Sequence, residues 1–341
     1  MHERPILLSE LARPTLKTIS DATGFAVATV SRALKDAPDI GEETKRRVRE
    51  AAERLGYRQN RAAVRLRTGK TNVIALTLST EADVMNHTSR LIYSIAEALR
   101  GTSYHLVVMP FFPDQERLEQ VKYIVETESA DGVILNQTAP DDSRVKYLDD
   151  HRFPFATHGR TTMGIDHPYF DFDNEQFARI GVRALVERGR RNLLLIPPPR
   201  SHSYSSHMIF GFSGEAARMG ARFELTESVT SDSSASEIEA ALMARMAKGP
   251  AIDGIVTGSN TSAMAAVFGA EQAGRVIGQH FDLVSKEAIP FLRKFRREII
   301  VVHEDVGRAG HFLARALMDA IERRAPELGQ FLDRPEQVEF N

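Results

Sequence analysis

The sequence of 341 residues contains no cysteine and no long apolar run. Without cysteine there can be no disulfide framework, no thiolate zinc site and no cysteine nucleophile, and nothing requires an oxidising compartment. The N-terminal segment MHERPILLSELARPT is too polar for a signal peptide. No later stretch approaches the roughly 20 apolar residues of a membrane span. We therefore expect a soluble, cytoplasmic protein without a membrane partner.

Signatures of catalysis are also missing. No G-x-S-x-G, H-E-x-x-H or dinucleotide-binding glycine pattern occurs. The segment RTGKT at residues 67–71 resembles the end of a phosphate-binding loop, but Val64 stands where the first glycine would fall. The pairs His303–Glu304 and His280–Asp282 are isolated. We therefore disfavour an enzyme and expect neither a cofactor nor a metal ion.

Charge is distributed unevenly, although the formal net charge is only -2. Residues 1–70 carry 15 basic and 9 acidic side chains, which gives +6, whereas residues 71–341 carry 29 and 37, which gives -8. A basic segment joined to an acidic one is expected when one end of a chain meets a polyanion. The length predicts two or three domains at roughly 100 to 200 residues each.

The periodicity of apolar residues changes along the chain. Residues 16–56 show helical spacing and predict three short helices. From Val73 onwards, apolar runs of strand length alternate with helical stretches. Such alternation is typical of parallel sheets covered on both faces by helices. About 270 residues are too many for one such sheet, so we divide this region near Asp171–Asn174.

The segment TISDATGFAVATVSRAL, residues 18–34, fits two helices joined by a tight turn at Gly24. Val27, Ala28 and Arg32 are free to face outward from the second helix, which enters the major groove in a helix-turn-helix motif. A three-helix protein-interaction module is the alternative interpretation. The groups suited to phosphate contacts belong to Thr15, Thr29, Ser31, Lys35, Thr44 and Asn60.

A short basic stretch, RQNRAAVRLRTGKT at residues 58–71, follows. A helix this short should barely be stable alone, so we expect it to order when its charges are neutralised. Leu66 lies between two arginines and suits an apolar wedge that enters a minor groove, with Ala63 beside it as a second base contact. Packing of Leu66 on the rest of the protein is the alternative.

The run from Thr15 to Leu66 resembles the LacI/GalR family of bacterial transcription regulators. The resemblance is carried by ATVSRAL in the second helix, by the third helix that ends in LGY, and by the hinge pattern N-R-x-A-x-x-L. It implies a homodimer, with a tetramer left open, on a pseudo-palindromic double-stranded operator. Val27, Ala28 and Arg32 would then read bases, and Leu66 would be the hinge wedge.

The same resemblance implies the fold class. It is α plus α/β: a three-helix helix-turn-helix head with a hinge helix, then a two-lobed body like a periplasmic binding protein, with parallel sheets flanked by helices. The expected division is an N-terminal extension (1–14), a DNA-binding domain (15–59), a hinge helix and linker (60–71) and a sensing and dimerisation body (72–341), whose N-lobe is 72–171 plus 304–330 and whose C-lobe is 172–303 plus 331–341.

Differences from the family lie where relatives hold a ligand. Met208 stands at the arginine that commonly clamps sugar hydroxyls in relatives, and Ser259-Asn260 stands in place of Asn-Asp. Phe111 and Phe112 could stack on an apolar ring face. Packing in a loop or between lobes is the alternative for every candidate. The candidate ligand-binding residues are Phe111, Phe112, Arg160, Tyr204, His207, Met208, Ser259, Asn260, Glu287 and Glu304.

These observations predict a repressor controlled by a small molecule, a sugar or sugar derivative. The effector must bind the interlobe cleft with different affinity in two arrangements of the lobes, because only that difference can shift the DNA-binding state. An inducer and a corepressor are both allowed. A solute-binding protein would share the body, but it would need an export signal and would lack the basic head, so we disfavour it.

Overall fold

The computed structural model describes residues 14–58, 65, 69–80, 85–112, 114–248, 251–324 and 329–335. Its contacts divide the chain into two units, Met1–Thr71 and Asn72–Asn341. We refer to them as the head and the body. Within the described ranges, no helix combines the length and the apolarity that crossing a membrane requires.

The head contains the three helices that the apolar spacing predicts. Helix α1 begins with a capping box, in which the Thr15 hydroxyl accepts from the Thr18 amide at 3.3 Å and the Thr18 hydroxyl accepts from the Thr15 amide at 3.1 Å. It ends at Gly24, whose φ of 78° is a left-handed conformation that glycine adopts without strain. The helices are α1 (Leu16–Thr23), α2 (Val27–Leu34) and α3 (Glu42–Arg54).

One apolar core joins these helices. Ile19 from α1, Val30 from α2 and Val48 from α3 are fully buried and pack in one cluster. Burial of such side chains is the main stabilising term for a unit this small. Their burial confirms which face of each helix points inward.

The body alternates strands and helices. In chain order these are β1 (Val73–Ser79), α4 (Met85–Ala98), β2 (His105–Phe111), α5 (Arg117–Glu126), β3 (Gly132–Asn136), α6 (Ser143–Asp150), β4 (Phe155–His158), β5 (Tyr169–Phe172), α7 (Asn174–Glu187), β6 (Asn192–Ile196), α8 (Ser203–Arg218), β7 (Arg222–Leu225), α9 (Ala235–Met246), β8 (Gly254–Thr257), α10 (Asn260–Gln272), β9 (Asp282–Glu287), α11 (Leu292–Phe295), β10 (Ile300–His303), α12 (Val306–Glu322) and β11 (Gln330–Asp333).

Two sheets organise the body. Their strand orders are β11-β5-β4-β3-β1-β2 and β10-β9-β8-β6-β7, and neighbouring strands pair in parallel. We call the first sheet with its helices the first lobe and the second sheet with its helices the second lobe. Central strands such as β3 and β8 are buried along their whole length because helices cover both faces. The predicted fold class of a helical head and parallel sheets flanked by helices is confirmed.

The C-terminal part of the expected lobe division is wrong for the residues that the structure describes. Strand β11 pairs with β5 in the first sheet, although residues from 331 onwards were expected in the second lobe. Phe331 stacks on Phe170 at a centroid distance of 5.2 Å, and this apolar contact holds the strand at the edge of the first sheet. The expected boundary between 171 and 172 also falls inside β5.

Two glycines of α8 provide a test of helix packing. A Cβ added to Gly211 would lie 2.3 Å from the Glu175 carbonyl oxygen on α7, whereas one added to Gly214 would meet nothing within 4 Å. Gly211→Ala should therefore destabilise the protein by about 1–3 kcal/mol. Gly214→Ala should stabilise it by about 0.5–1 kcal/mol because alanine favours helix. Urea unfolding measures both, and equal free energies of unfolding would contradict the close approach of α7 and α8.

Candidate functional sites

Helix α2 presents one face of the head to solvent. Val27 is 42% exposed, and Ala28 and Arg32 are also exposed, while Val30 and Ala33 of the same helix are buried. The structure therefore places the three expected base-reading side chains of α2 on one outward surface. The remaining expected base contacts, Ala63 and Leu66, and the phosphate contact Asn60 lie outside the described residues.

The expected phosphate-contacting residues within the described part of the head differ in exposure. Lys35 and Thr15 are exposed, and the Thr15 hydroxyl is engaged as the cap of α1. Thr29, Ser31 and Thr44 are partly buried.

Several basic side chains of the head are held by acidic neighbours. Arg32 forms an ion pair with Asp39 between the Arg32 Nη2 and a carboxylate oxygen. On α3, the Arg49 Nη2 lies 2.7 Å from an Asp36 oxygen. The hydrogen bond from Lys45 is the main cause that lowers the pKa of the exposed Asp36 carboxyl. A DNA ligand must compete with these carboxylates for the basic groups.

A polar cleft lies where the carboxyl ends of strands from both sheets meet. It measures about 920 Å³ including its open mouth. Asn136 ends β3 and Gln137 follows it, His158 ends β4, and Gly258 follows β8. In open parallel sheets this edge is where ligands bind. The mixed lining of polar and apolar groups fits a small organic molecule.

An ammonium group lies at the floor of the cleft. Lys286 Nζ is 2.8 Å from Glu304 Oε2 and donates a hydrogen bond to Asn174 Oδ1 at 3.0 Å. It also lies 5.2 Å from the ring centre of Phe172 and 5.5 Å from that of Tyr204. Burial alone would raise the pKa of Glu304, but Lys286 and His87 hold it well below its usual range. The pair is therefore ionised and internally compensated.

Two imidazoles line the first-lobe side of the floor. The rings of His87 and His158 stack at 5.1 Å, and His87 Nε2 lies 3.4 Å from Glu304 Oε1. His158 Nδ1 is 3.1 Å from Asn136 Oδ1, an acceptor, so this nitrogen carries the proton. Burial, followed by the neighbouring His87, lowers the pKa of His158 to about 3. His158 is therefore neutral.

The donor atoms of His87, His158 and Glu304 lie within 4.8 Å of one another, an arrangement that could hold a metal ion. The Lys286 ammonium already compensates the Glu304 carboxylate. An added cation would meet like-charge repulsion from it. We therefore interpret the three groups as hydrogen-bonding partners for an uncharged ligand.

Asp171 is a buried carboxyl on the wall of the cleft. It is only 4% exposed, and its Oδ2 lies 3.0 Å from Arg160 Nε. Burial raises the pKa of Asp171 to about 7, although Arg160 and Lys286 oppose this shift. Its charge therefore changes near neutral pH.

Four of the expected ligand-binding residues lie on the cleft wall, namely Tyr204, Ser259, Asn260 and Glu304. Arg160 lies behind the wall, where it holds Asp171. The structure does not place His207 among the lining residues. It lies on α8 and is partly buried, and burial lowers its pKa.

Four other expectations are corrected by the geometry. Phe111 is 1% exposed and lies under the Arg117 guanidinium, so it offers no free ring face. Phe112 is 54% exposed and is not part of the cleft wall. Met208 is fully buried in the second-lobe core. Glu287 accepts hydrogen bonds from the backbone amides at the start of α11, at 3.0 and 3.1 Å, and so caps a loop.

The cleft is also lined by residues that were not predicted from the sequence as ligand contacts. Gln137 has a left-handed backbone, with φ of 54°, and lines the cleft directly after β3. Such strained positions are common in binding sites. His158 and Asp171 could have been found by applying the strand-end rule to every strand. His87 offered no such signal, because it lies on a helix.

A helix-turn-helix head and a two-lobed body with a polar cleft at the strand ends are together the parts of a ligand-responsive transcription regulator. Residues 15–60 match the family described as bacterial regulatory proteins, lacI family. Residues 86–286 match the periplasmic binding proteins and sugar binding domain of the LacI family. The chain belongs to the LacI family and is a DNA-binding transcription regulator, not an enzyme.

Individual relatives span most of the chain. The HTH-type transcriptional regulator AglR of Rhizobium meliloti is 29% identical over 95% of this chain and 92% of its own length. The structure of a transcriptional regulator CelR–cellobiose complex has a TM-score of 0.68 at 21% identity, covering 96% of this chain and 99% of that one. The lac repressor dimer bound to operator and the anti-inducer ONPF has a TM-score of 0.82 at 18% identity, covering 96% and 98%.

The raised pKa of Asp171 has a consequence for stability. Because Asp171 binds a proton more tightly in the folded state than in the unfolded state, its contribution to stability falls as pH rises from about 4 through about 7. Asp171→Asn cannot titrate at this position. As pH rises over this range, the free energy of unfolding of the variant minus that of the wild type should therefore increase by at most about 1.4 kcal/mol per pH unit. Urea unfolding at pH 5, 6, 7 and 8 measures the difference.

The exposed Asp141 is a suitable control for this test. Asp141→Asn should differ from the wild type by the same amount at each pH. A difference between Asp171→Asn and the wild type that does not change with pH would contradict the assignment.

Proposed function

We propose that this regulator is a repressor that binds a pseudo-palindromic operator as a homodimer and responds to a sugar or sugar derivative in the interlobe cleft. The observation that carries the proposal is the polar cleft at the strand ends, in the same chain as a head that exposes Val27, Ala28 and Arg32 on one helix. Membership of the LacI family supports the combination.

Base recognition would rest on few polar groups. Val27 and Ala28 offer no side-chain hydrogen bonds, so they discriminate by shape and by contact with thymine methyl groups. Arg32 can bond to two acceptors of guanine at once. Arg32 must first break its ion pair with Asp39 before it can bond to a base edge. The net gain in binding free energy is therefore the difference between two charge-assisted contacts. Ala63 and Leu66 would contribute minor-groove contacts.

The cleft suits an uncharged polyhydroxyl ligand. Lys286 and Glu304 compensate each other, while Gln137, Asn260 and His158 supply amide and imidazole groups. Sugar hydroxyls donate and accept hydrogen bonds and so match such a mixed lining. The cellobiose in the structure of the similar regulator CelR supports this choice of ligand class.

We assign the dimer contact to the open edge of the first sheet. Strand β2 pairs on one side with β1 and, among the described strands, has no partner on its other side. Val107 and Val108 on this strand are 42% and 37% exposed, and Tyr93 on the neighbouring α4 is 56% exposed. An open strand edge with exposed apolar side chains favours association. The similar lac repressor binds its operator as a dimer, which supports a dimeric assembly here.

Replacement of Arg32 tests the DNA-reading assignment. Arg32→Ala should cost about 1–3 kcal/mol of operator affinity and relax the preference at one base step in each half-site. Arg49→Ala is the matched control, because Arg49 is also an exposed arginine paired with an aspartate but lies on α3. It should leave the base preference unchanged. Fluorescence anisotropy on operator variants measures both, and an equal loss for Arg32→Ala on all sequences would refute base readout.

A further inference from the structure

One loop of the second lobe reaches the first lobe. It connects β6 to α8, and its last residue, His202, is 1% exposed. The next residue, Ser203, donates its backbone N–H to the Thr138 carbonyl oxygen at 2.8 Å, and Thr138 follows β3 of the first lobe. The buried imidazole and this hydrogen bond both span the two lobes beside the cleft.

The hydrogen bonds of His202 define its tautomer. Arg117 Nη2, on the first-lobe helix α5, lies 3.3 Å from His202 Nε2. A guanidinium can only donate, so Nε2 must be the unprotonated nitrogen. The proton is then on Nδ1, which lies 3.3 Å from the Tyr204 hydroxyl and can donate to it. A second proton on Nε2 would point an N–H group at the N–H group of Arg117.

The charges around His202 oppose its protonation. Arg117 and Arg144 of the first lobe are the neighbouring cations, and Asp142, which is paired with Arg144 at 2.7 Å, is the neighbouring anion. Burial is the largest cause that lowers the pKa of His202, to about 3, and the two guanidinium groups act in the same direction. An imidazole released into solvent titrates near 6.5.

We propose that His202 is a clamp that holds the two lobes together only while its imidazole is neutral, so that acidification opens the cleft. Tyr204 links the clamp to the effector site, because its ring stacks on His202 at 5.4 Å and also lines the cleft. The effect on DNA binding rests on the proposed function, but the clamp itself is a property of the body.

Hydrogen exchange at the Ser203 backbone amide measures the opening of the clamp directly. Exchange of this amide with solvent requires the bond to Thr138 to open, so its protection, corrected for the intrinsic exchange rate, measures the opening equilibrium even when the open state is rare. With His202 titrating near 6.5 when open and near 3 when closed, protection should fall about 30-fold between pH 7.5 and pH 5.0. The Ala263 amide, which bonds within the second lobe to Ser259 O at 3.0 Å, should keep its protection.

Two substitutions isolate the imidazole. His202→Gln retains an acceptor for Arg117 but cannot be protonated, so protection at Ser203 should not change with pH. His280→Gln removes an exposed histidine of the second lobe and should behave as the wild type does. The proposal is overturned if wild-type protection does not depend on pH, if His202→Gln keeps the wild-type dependence, or if His280→Gln abolishes it. Neither DNA nor a sugar is present, so this result does not depend on the proposed function.

Discussion

The ion pair between Lys286 and Glu304 is the interaction on which the cleft depends. Lys286 is the penultimate residue of the second-lobe strand β9, and Glu304 lies where the chain passes from β10 into the first-lobe helix α12. Both side chains are nearly buried, and removing one partner of such a pair costs about 3–5 kcal/mol. Because Lys286 also bonds Asn174, which follows β5 where the chain enters the second lobe, one ammonium contacts two crossovers of the described chain.

This arrangement explains how a charged floor can serve an uncharged ligand. The ammonium and the carboxylate compensate each other, His158 is held neutral by burial, and Asp171, whose charge changes near neutral pH, lies beside Arg160. The floor therefore presents donors and acceptors whose principal charges are paired within the protein. The distribution of charge in the chain agrees with this division, since the excess of positive charge lies in residues 1–70.

The sequence was informative where a pattern repeats and less so where a single side chain must be oriented. Helical spacing and unbroken apolar strands predicted the head and both sheets, and the resemblance to the family pointed to Ser259 and Asn260. From the sequence we predicted that Glu287 of β9 contacts the ligand, whereas in the structure its neighbour Lys286 lines the cleft. Successive side chains in a strand point to opposite faces. A prediction that is wrong by one residue therefore selects a side chain that faces the neighbouring loop and not the cleft.

Other differences arose from contacts between distant segments. Phe111 ends a strand as expected, but Arg117, six residues later, covers its ring. The short strand β11 follows a long helix, and its pairing with β5, together with the stacking of Phe331 on Phe170, shows which sheet it joins. His87 enters the cleft from a helix and is identified by its contact with Glu304, 217 positions away. Local patterns do not encode such long-range contacts.

In the proposed function, the state of the cleft sets the affinity of the head for DNA. The most direct test of this coupling is the operator affinity of the full chain at fixed salt, measured with and without a saturating sugar that a thermal-shift screen shows to bind. A coupling free energy of the usual size would change the affinity by about 5- to 150-fold in one direction. The same operator affinity with and without a sugar bound in the cleft would contradict the account.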